Sequence, residues 1–293
     1  MRPLADNAAA RGLADDAAVW TPPLGRQLVL SHDTMAAGVH YLASDPADDV
    51  AWKLLAVNAS DLAAMGARPA GVILSLALSA AEDAAWQQRF ARGLGQALSA
   101  FGLALWGGDT VSGVSGAVLG ATVVGHVSPG AALARAGAKL GDGLFVSGTI
   151  GDAGLGLRMA RGAVAVEPFL LKRLRRPVPR LALGAQLVGR ASACMDVSDG
   201  LLIDAGRMAA ASGVGMVIAL DALPLSDAAR ALGLDPLAAA VSGDDYELLF
   251  TAAVPEVEGA TRIGTVVAGS GLRLMRDGAE VPLPARLGFE HAL

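Results

Sequence analysis

Short apolar runs punctuate the first half of the chain at Gln27–Ser31, Val72–Leu78, Leu103–Trp106 and Val118–His126. Each is bounded by Gly, Ser, Asp or Pro, the pattern of a strand giving way to a loop. Two longer segments between them carry helical spacing. The first opens at Ser44-Asp45-Pro46, a cap with proline at the first helical position. It runs through Trp52, Leu55, Ala59 and Leu62 and stops at Gly66. Asn58 and Asp61, three residues apart, fall on another face of that helix, so one side packs while the other presents polar groups. The second segment spans Ala81–Phe101, where Trp86, Phe90, Leu94 and Leu98 form an apolar stripe that predicts core packing.

A turn-rich stretch from Ser128-Pro129-Gly130 predicts a boundary, with an N-terminal domain over 1–128 and a C-terminal one over 129–293. The second half begins with an apolar strand, Gly143–Ser147, and a glycine-rich turn (Gly148, Gly151, Gly154) into a helix. A basic loop with Pro177 and Pro179, a helix near Leu181–Val188 and a strand over Cys194–Val197 follow. A helix over Asp199–Ala211 and strands at Val214–Leu220 and Glu247–Ala252 complete the pattern. Strands and helices in mixed order predict two α/β (α+β) domains.

Composition narrows the function classes. Hydrophobic residues make up 53% of 293, yet apolar stretches such as Gly71 to Ala81 reach only half of the roughly 20 residues a membrane span needs. No basic segment leads into an apolar one at the N-terminus, so a soluble cytoplasmic protein with no membrane partner is expected. The single cysteine, Cys194, excludes an internal disulfide and a cysteine-based zinc site. A net charge of −5 argues against nucleic acid as a partner. The one basic cluster, Lys172 to Arg176 with Arg180 behind, reads as a solvated helix end or as a loop that meets a phosphate.

The chemistry lies in the aspartates. They recur beside small residues at Asp15-Asp16, Ser31-His32-Asp33, Ser60-Asp61, Gly108-Asp109, Asp196-Val197-Ser198-Asp199 and Gly243-Asp244-Asp245. Each alone is explained by a turn or a helix cap. Asp33, Asp109 and Asp196 all follow apolar runs, however, and are expected to gather at strand ends. Carboxylates grouped there oppose one another's ionisation unless cations neutralise them, and Mg²⁺ does so while bridging phosphate oxygens. No Walker-type phosphate loop, kinase catalytic loop or Gly-x-Ser-x-Gly is present. His126 and His291 read as packing residues, whereas His40 stands near the acidic set.

The ordered series of Asp-Asp-Ala-Ala, Ser-x-Asp-Thr-x-x-x-Gly-x-His, Trp-Lys-x-Leu-Ala-Val-Asn-x-Ser-Asp-Leu-Ala-Ala-Met-Gly-Ala, Gly-Gly-Asp-Thr, Arg-x-Gly-Ala-Lys-x-Gly-Asp, Asp-Val-Ser-Asp-Gly-Leu and Gly-Asp-Asp-Tyr-Glu-Leu resembles the thiamine-monophosphate kinase family. That family sits in the aminoimidazole-ribonucleotide-synthetase-like superfamily of ATP-binding proteins. The resemblance implies a two-domain fold of that kind, with the N-terminal domains of a homodimer pairing into a β-barrel. It implies ATP as co-substrate, several Mg²⁺ ions, and direct in-line transfer to thiamine monophosphate. It assigns Asp16, Ser31, His32, Asp33, Asp61, Asp109, Asp196 and Asp199 to metal, and Gly108, Asp109, Arg135 and Ser198 to the nucleotide. His40, Asp244 and Phe289 are assigned to the substrate, Phe289 stacking on the thiamine ring. No protein base is implied, because a phosphate monoester is already an anionic nucleophile.

The chain departs from the family at Ala14, where glycine is usual, at His32, where threonine is usual, and at Asp244, where glutamate is common. An imidazole is a poorer Mg²⁺ ligand than oxygen. The alternatives are a related ATP-using enzyme with another substrate and a nucleotide-binding protein without turnover.

Overall fold

A computed structural model describes residues 1–290. His291 therefore lies outside the described residues. Backbone contacts divide the chain into two compact units, Met1–Leu62 with Ala67–Ala132, and Ala63–Gly66 with Leu133 onward.

The first unit contains β1 (Gln27–Ala36), α1 (Ala47–Ala64), β2 (Arg68–Leu78), α2 (Ala84–Phe101), β3 (Ala104–Ser112) and β4 (Val118–Val127). The sheet runs β1-β4-β2-β3. β4 is antiparallel to both neighbours, and β2 pairs with β3 in parallel through the α2 crossover. Asp83 starts α2 by accepting the Trp86 N–H at 2.8 Å, and Gly102 ends it in the left-handed conformation. Leu54, Leu55 and Leu62 of α1 and Phe90 and Leu94 of α2 are buried. Strand β1 alternates: Ser31, Asp33 and Met35 are partly or fully buried, while Leu28, Leu30, His32 and Thr34 are exposed. At one end the exposed face is covered by Trp20, whose ring lies 4.9 Å from that of Trp106.

Two strands run further than the apolar runs predict. β1 keeps its ladder to β4 from Gln27↔Val127 to Ala36↔Val118, and β3 pairs with β2 as far as Ser112. Asp33 and Asp109 thus lie within strands rather than at their ends. An edge strand with one solvated face carries polar residues without losing its ladder, so hydrophobicity alone ends it too soon.

The second unit contains β5 (Gly143–Ser147), α3 (Asp152–Ala160), α4 (Pro168–Arg175), α5 (Leu181–Leu187), β6 (Ala193–Val197), α6 (Leu201–Ser212), β7 (Gly215–Ala219), β8 (Glu247–Ala252), β9 (Ala260–Val267), β10 (Gly271–Arg276) and β11 (Ala279–Val281). The strands form one open, mixed sheet, β11-β10-β7-β9-β5-β8-β6. Two cores lie on its two faces. Val146, Met195 and Val197 pack with Leu201, Leu202 and Met208 of α6. Phe145, Cys194, Leu248 and Phe250 pack with Leu187 of α5, the two Phe rings stacked at 5.4 Å. Of the basic segment, Lys172 to Arg175 end α4, as the helix-end reading expects, and residues 176–180 with Pro177 and Pro179 form a loop. Glu167 caps α4 by accepting the Leu170 N–H at 2.8 Å, Pro168 opens it, and the cations of its last turn suit the helix C-terminus. Among the described residues, no helix is long and apolar enough to cross a membrane.

Candidate functional site

In the first unit, α1 brings its polar residues to the helix-covered face of β1. The Ser31 hydroxyl donates to the Asp61 carboxylate. Asn58 accepts the Asp33 N–H at 2.8 Å and donates to Leu54 O at 2.9 Å, so a buried amide fixes the backbone of the aspartate. Ser31, Asp33 and Asp61 therefore share one face. His32 does not join them. Strand alternation turns it to the other face, where Nδ1 lies 2.8 Å from Thr122 Oγ1 and Nε2 lies 3.2 Å from Thr34 Oγ1.

The register also separates Asp109 from Asp33. One row across the sheet reads Asp33↔Ala121↔Leu74↔Gly108, and the next reads Thr34↔Gly120↔Ser75↔Asp109. The two aspartates sit on opposite edge strands, roughly 14 Å apart along the sheet at three inter-strand spacings. Gly108 lies where β3 presses on β2, and a Cβ there would collide with Leu74 O. Asp16 is exposed in a bend of the N-terminal segment, the same segment that Trp20 anchors on β3. His40 follows β1 in a turn and accepts the Ala36 N–H at Nδ1 (3.0 Å), so its neutral ring carries the proton on Nε2.

In the second unit, the Ser198-Asp199 turn between β6 and α6 gathers most of the expected residues. Ser198 O accepts the Asp244 N–H and Asp199 O accepts the Phe289 N–H, each at 2.8 Å. Asp244 reaches this position in the left-handed region (φ 69°). A Cβ on Gly288 would meet Asp199 O at 2.5 Å, so only glycine lets the chain approach so closely. Phe289 stays half-exposed, offering a ring face. Asp196 is buried in β6, two residues before the turn. Arg135 is not gathered with them. Its carbonyl accepts from Ser212 Oγ at the far end of α6, roughly 17 Å along the helix from its start.

Four residues around these segments are given no role by the sequence reading. Asp204, fully buried, accepts the N–H groups of both Ser198 and Asp199 at 3.1 Å. Arg207 bridges Asp204 (2.7 Å) and Asp199 (2.5 Å). Burial pushes the Asp204 carboxyl up, and Arg207 works against that. Glu247 is buried in β8 and binds Ser147 Oγ (2.5 Å), Arg173 (2.8 Å) and Arg180 (2.6 and 2.5 Å). Asp245, also buried, accepts the N–H of Gly151 at 2.8 Å and so fixes the glycine-rich turn before α3. For Asp204 the available clue was its spacing of six residues from Ser198, since a helix's first turn can fold back on the loop that feeds it.

Cys194 is buried and its thiol is held well above the ordinary range, by desolvation first and Asp196 second, so it offers no thiolate. The expectation of a packing role for His126 agrees with its setting: the ring stacks 6.5 Å from Trp20, and burial lowers its pKa. Among the described residues, no three His, Cys, Asp or Glu side chains gather as a ready-made metal cage.

Comparison with known proteins settles the family. Residues 14–127 match the model of the AIR synthase related protein N-terminal domain, and 139–277 match that of its C-terminal domain. The thiamine-monophosphate kinase of Caulobacter vibrioides is 40% identical over 99% of this chain and 88% of its own. The chain belongs to the thiamine-monophosphate kinase family. The crystal structure of the Stenotrophomonas maltophilia K279a thiamine-monophosphate kinase matches at a TM-score of 0.84 and 41% identity, covering 96% of this chain and 94% of that one. A structure described as AaThiL complexed with AMPPCP and TMP matches at 0.82 and 32% identity, covering 94% and 90%. The family's two-domain α/β architecture is that of the two open sheets.

Proposed function

We propose that this protein is an ATP-dependent kinase that converts thiamine monophosphate to thiamine diphosphate. The observation that carries the proposal is a family likeness running the length of the chain, at 40% identity over 99% of it. Its geometry is compatible with that chemistry. A phosphate oxygen of thiamine monophosphate attacks the γ-phosphorus of ATP. The bond from that phosphorus to the β,γ-bridging oxygen breaks, and ADP leaves with the electron pair. The attacking oxygen is already anionic, so the protein's task is to position and to balance charge.

Gly108 and Asp109 of the first unit are proposed to contact nucleotide, as are Arg135 and Ser198 of the second. Phe289 would supply a stacking face to the thiamine ring, and Asp244, joined to the same turn, would meet the substrate. His40 would donate from Nε2. The donors Ser31, Asp33 and Asp61 are all oxygens and share one face, which fits a hard cation. Mg²⁺ takes one or two carboxylates from a protein and completes its shell with phosphate and water, so a closed protein cage is not required. Asp16 and Asp109 in the first unit, and Asp196 and Asp199 in the second, are further carboxylates proposed to bind Mg²⁺ ions. When bound, the ion would neutralise the phosphate charge that otherwise repels the nucleophile. His32 lies on the opposite face, which the register gives to Asp109 as well, and it is left out because its imidazole is a poorer Mg²⁺ ligand than oxygen.

The exposed face of the first sheet carries Leu28, Leu30, Ile73 and Val118, each 41% exposed or more. That face supports the proposal of a homodimer in which two such sheets pair into a barrel.

The test is direct. With Mg-ATP and thiamine monophosphate, thiamine diphosphate should accumulate in step with ADP. ADP formed without thiamine diphosphate would overturn the assignment.

A further inference from the structure

The Ser198-Asp199 turn is held from two sides. Its carbonyl groups are taken by the backbone of Asp244 and Phe289, two segments far away in sequence. Its N–H groups converge on a single atom, Asp204 Oδ2, at 3.1 Å each. Asp204 is the fourth residue of α6, and a helical side chain leans toward the N-terminus of its helix. It therefore reaches back past Gly200, which caps α6 without a side-chain bond, to the turn that feeds the helix. The other oxygen of Asp204 accepts from Arg207, and the same guanidinium nitrogen reaches the Asp199 carboxylate. One buried carboxylate thus sets the backbone of both residues and, through Arg207, the side chain of one.

We infer that Asp204 is the positioning residue of this turn, with Arg207 as its arm to the Asp199 carboxylate. The inference rests on the proposed roles of Ser198 in contacting the nucleotide and of Asp199 in holding the metal that accompanies it. Charge-assisted bonds to N–H groups are strong and directional. Removing the charge lets the turn drift while α6 and β6 stay packed. A shift near 1 Å in a group that orients phosphate costs about 100-fold in rate.

Asp204→Asn keeps shape and an acceptor but removes the charge that holds Arg207. The expected result is a fall of about 100-fold in kcat/KM for Mg-ATP. Affinity for a non-hydrolysable ATP analogue, measured by calorimetry without thiamine monophosphate, should drop at least tenfold, with the melting temperature near that of the parent. Asp204→Glu should not restore it, because the longer arm displaces the turn. Arg207→Gln, at a partly exposed side chain, should weaken the analogue in the same direction, and Arg207→Lys should recover part of the loss. A folded Asp204→Asn protein with parental analogue affinity overturns the inference. If that variant does not fold, parental affinity in Arg207→Gln overturns it instead. Asp199→Asn separates the two layers: no effect there overturns the nucleotide role of the turn itself, whereas an effect there without one at Asp204 or Arg207 overturns positioning alone.

Discussion

Ser31, His32 and Asp33 show how much one residue's step along a strand decides. In the sequence they form a contiguous polar triplet, and reading them as one donor set treats them as neighbours. In β1 they alternate, so Ser31 and Asp33 meet Asp61 and Asn58 while His32 meets Thr34 and Thr122. The substitution of His for the family's usual Thr thus falls on the face away from the Ser31–Asp61 pair. Asp109 belongs to the same scale. It is exposed and spends one oxygen on the Thr110 N–H at 2.9 Å. Asp109→Asn keeps the shape and that bond but removes the charge. Turnover should fall by about 100-fold or more while the melting temperature moves by no more than about 2 °C, since surface changes are worth roughly 0.5 kcal/mol. Normal turnover in that variant would overturn the proposed metal role.

Among the elements, β8 and the turn before it carry three carboxylates, Asp244, Asp245 and Glu247, with three different sets of partners. The Gly243–Tyr246 segment was legible as an acidic turn, but the division of labour around it was not. Asp244 takes a left-handed backbone and joins the Ser198 turn, Asp245 turns inward to α3, and Glu247 pairs with two arginines. Strand alternation and long-range partners set those roles, and a local reading holds neither. The basic stretch is the matching case: Arg173 and Arg180 read as solvated or phosphate-seeking, and both are committed to Glu247. Asp245 has a measurable consequence. Its carboxyl is pushed well above the ordinary range, first by burial and further by Glu247, while the Gly151 and Ala153 N–H groups and Arg173 pull it back. The native state therefore keeps this proton at pH values where the unfolded chain has lost it. Native protons exceed unfolded ones between the two values, so stability should fall as pH rises from the ordinary carboxylate range through the raised value. Urea titrations at a series of pH values should show that decline, and Asp245→Asn should flatten it. An unchanged slope in the variant would refute the assignment.

At the scale of the molecule, strands and helices in the first 130 residues were legible because turn residues bound their apolar runs and α2 carries a clear apolar stripe, Phe90, Leu94 and Leu98. The last third was less so. β9, β10 and β11 carry Arg262, Arg273, Arg276 and Glu280 within the strands themselves, and their burial is partial. Such strands are defined by their ladders to β5, to β7 and to one another rather than by composition. The far face of the first sheet has the opposite character: apolar residues where solvent should be. Leu30 is 61% exposed and Leu28 46%. An apolar sheet face of this kind marks an association surface, and the proposed pairing of two copies would cover it. Leu30→Glu places a charge on that face at little cost to the single chain, because the side chain is already in solvent. Sedimentation of the parent at micromolar concentration should give a mass near twice that of the chain, and the variant should shift toward the single-chain mass with its circular dichroism unchanged. A parent that sediments as a monomer, or a variant that stays dimeric, would place the association surface elsewhere or remove it.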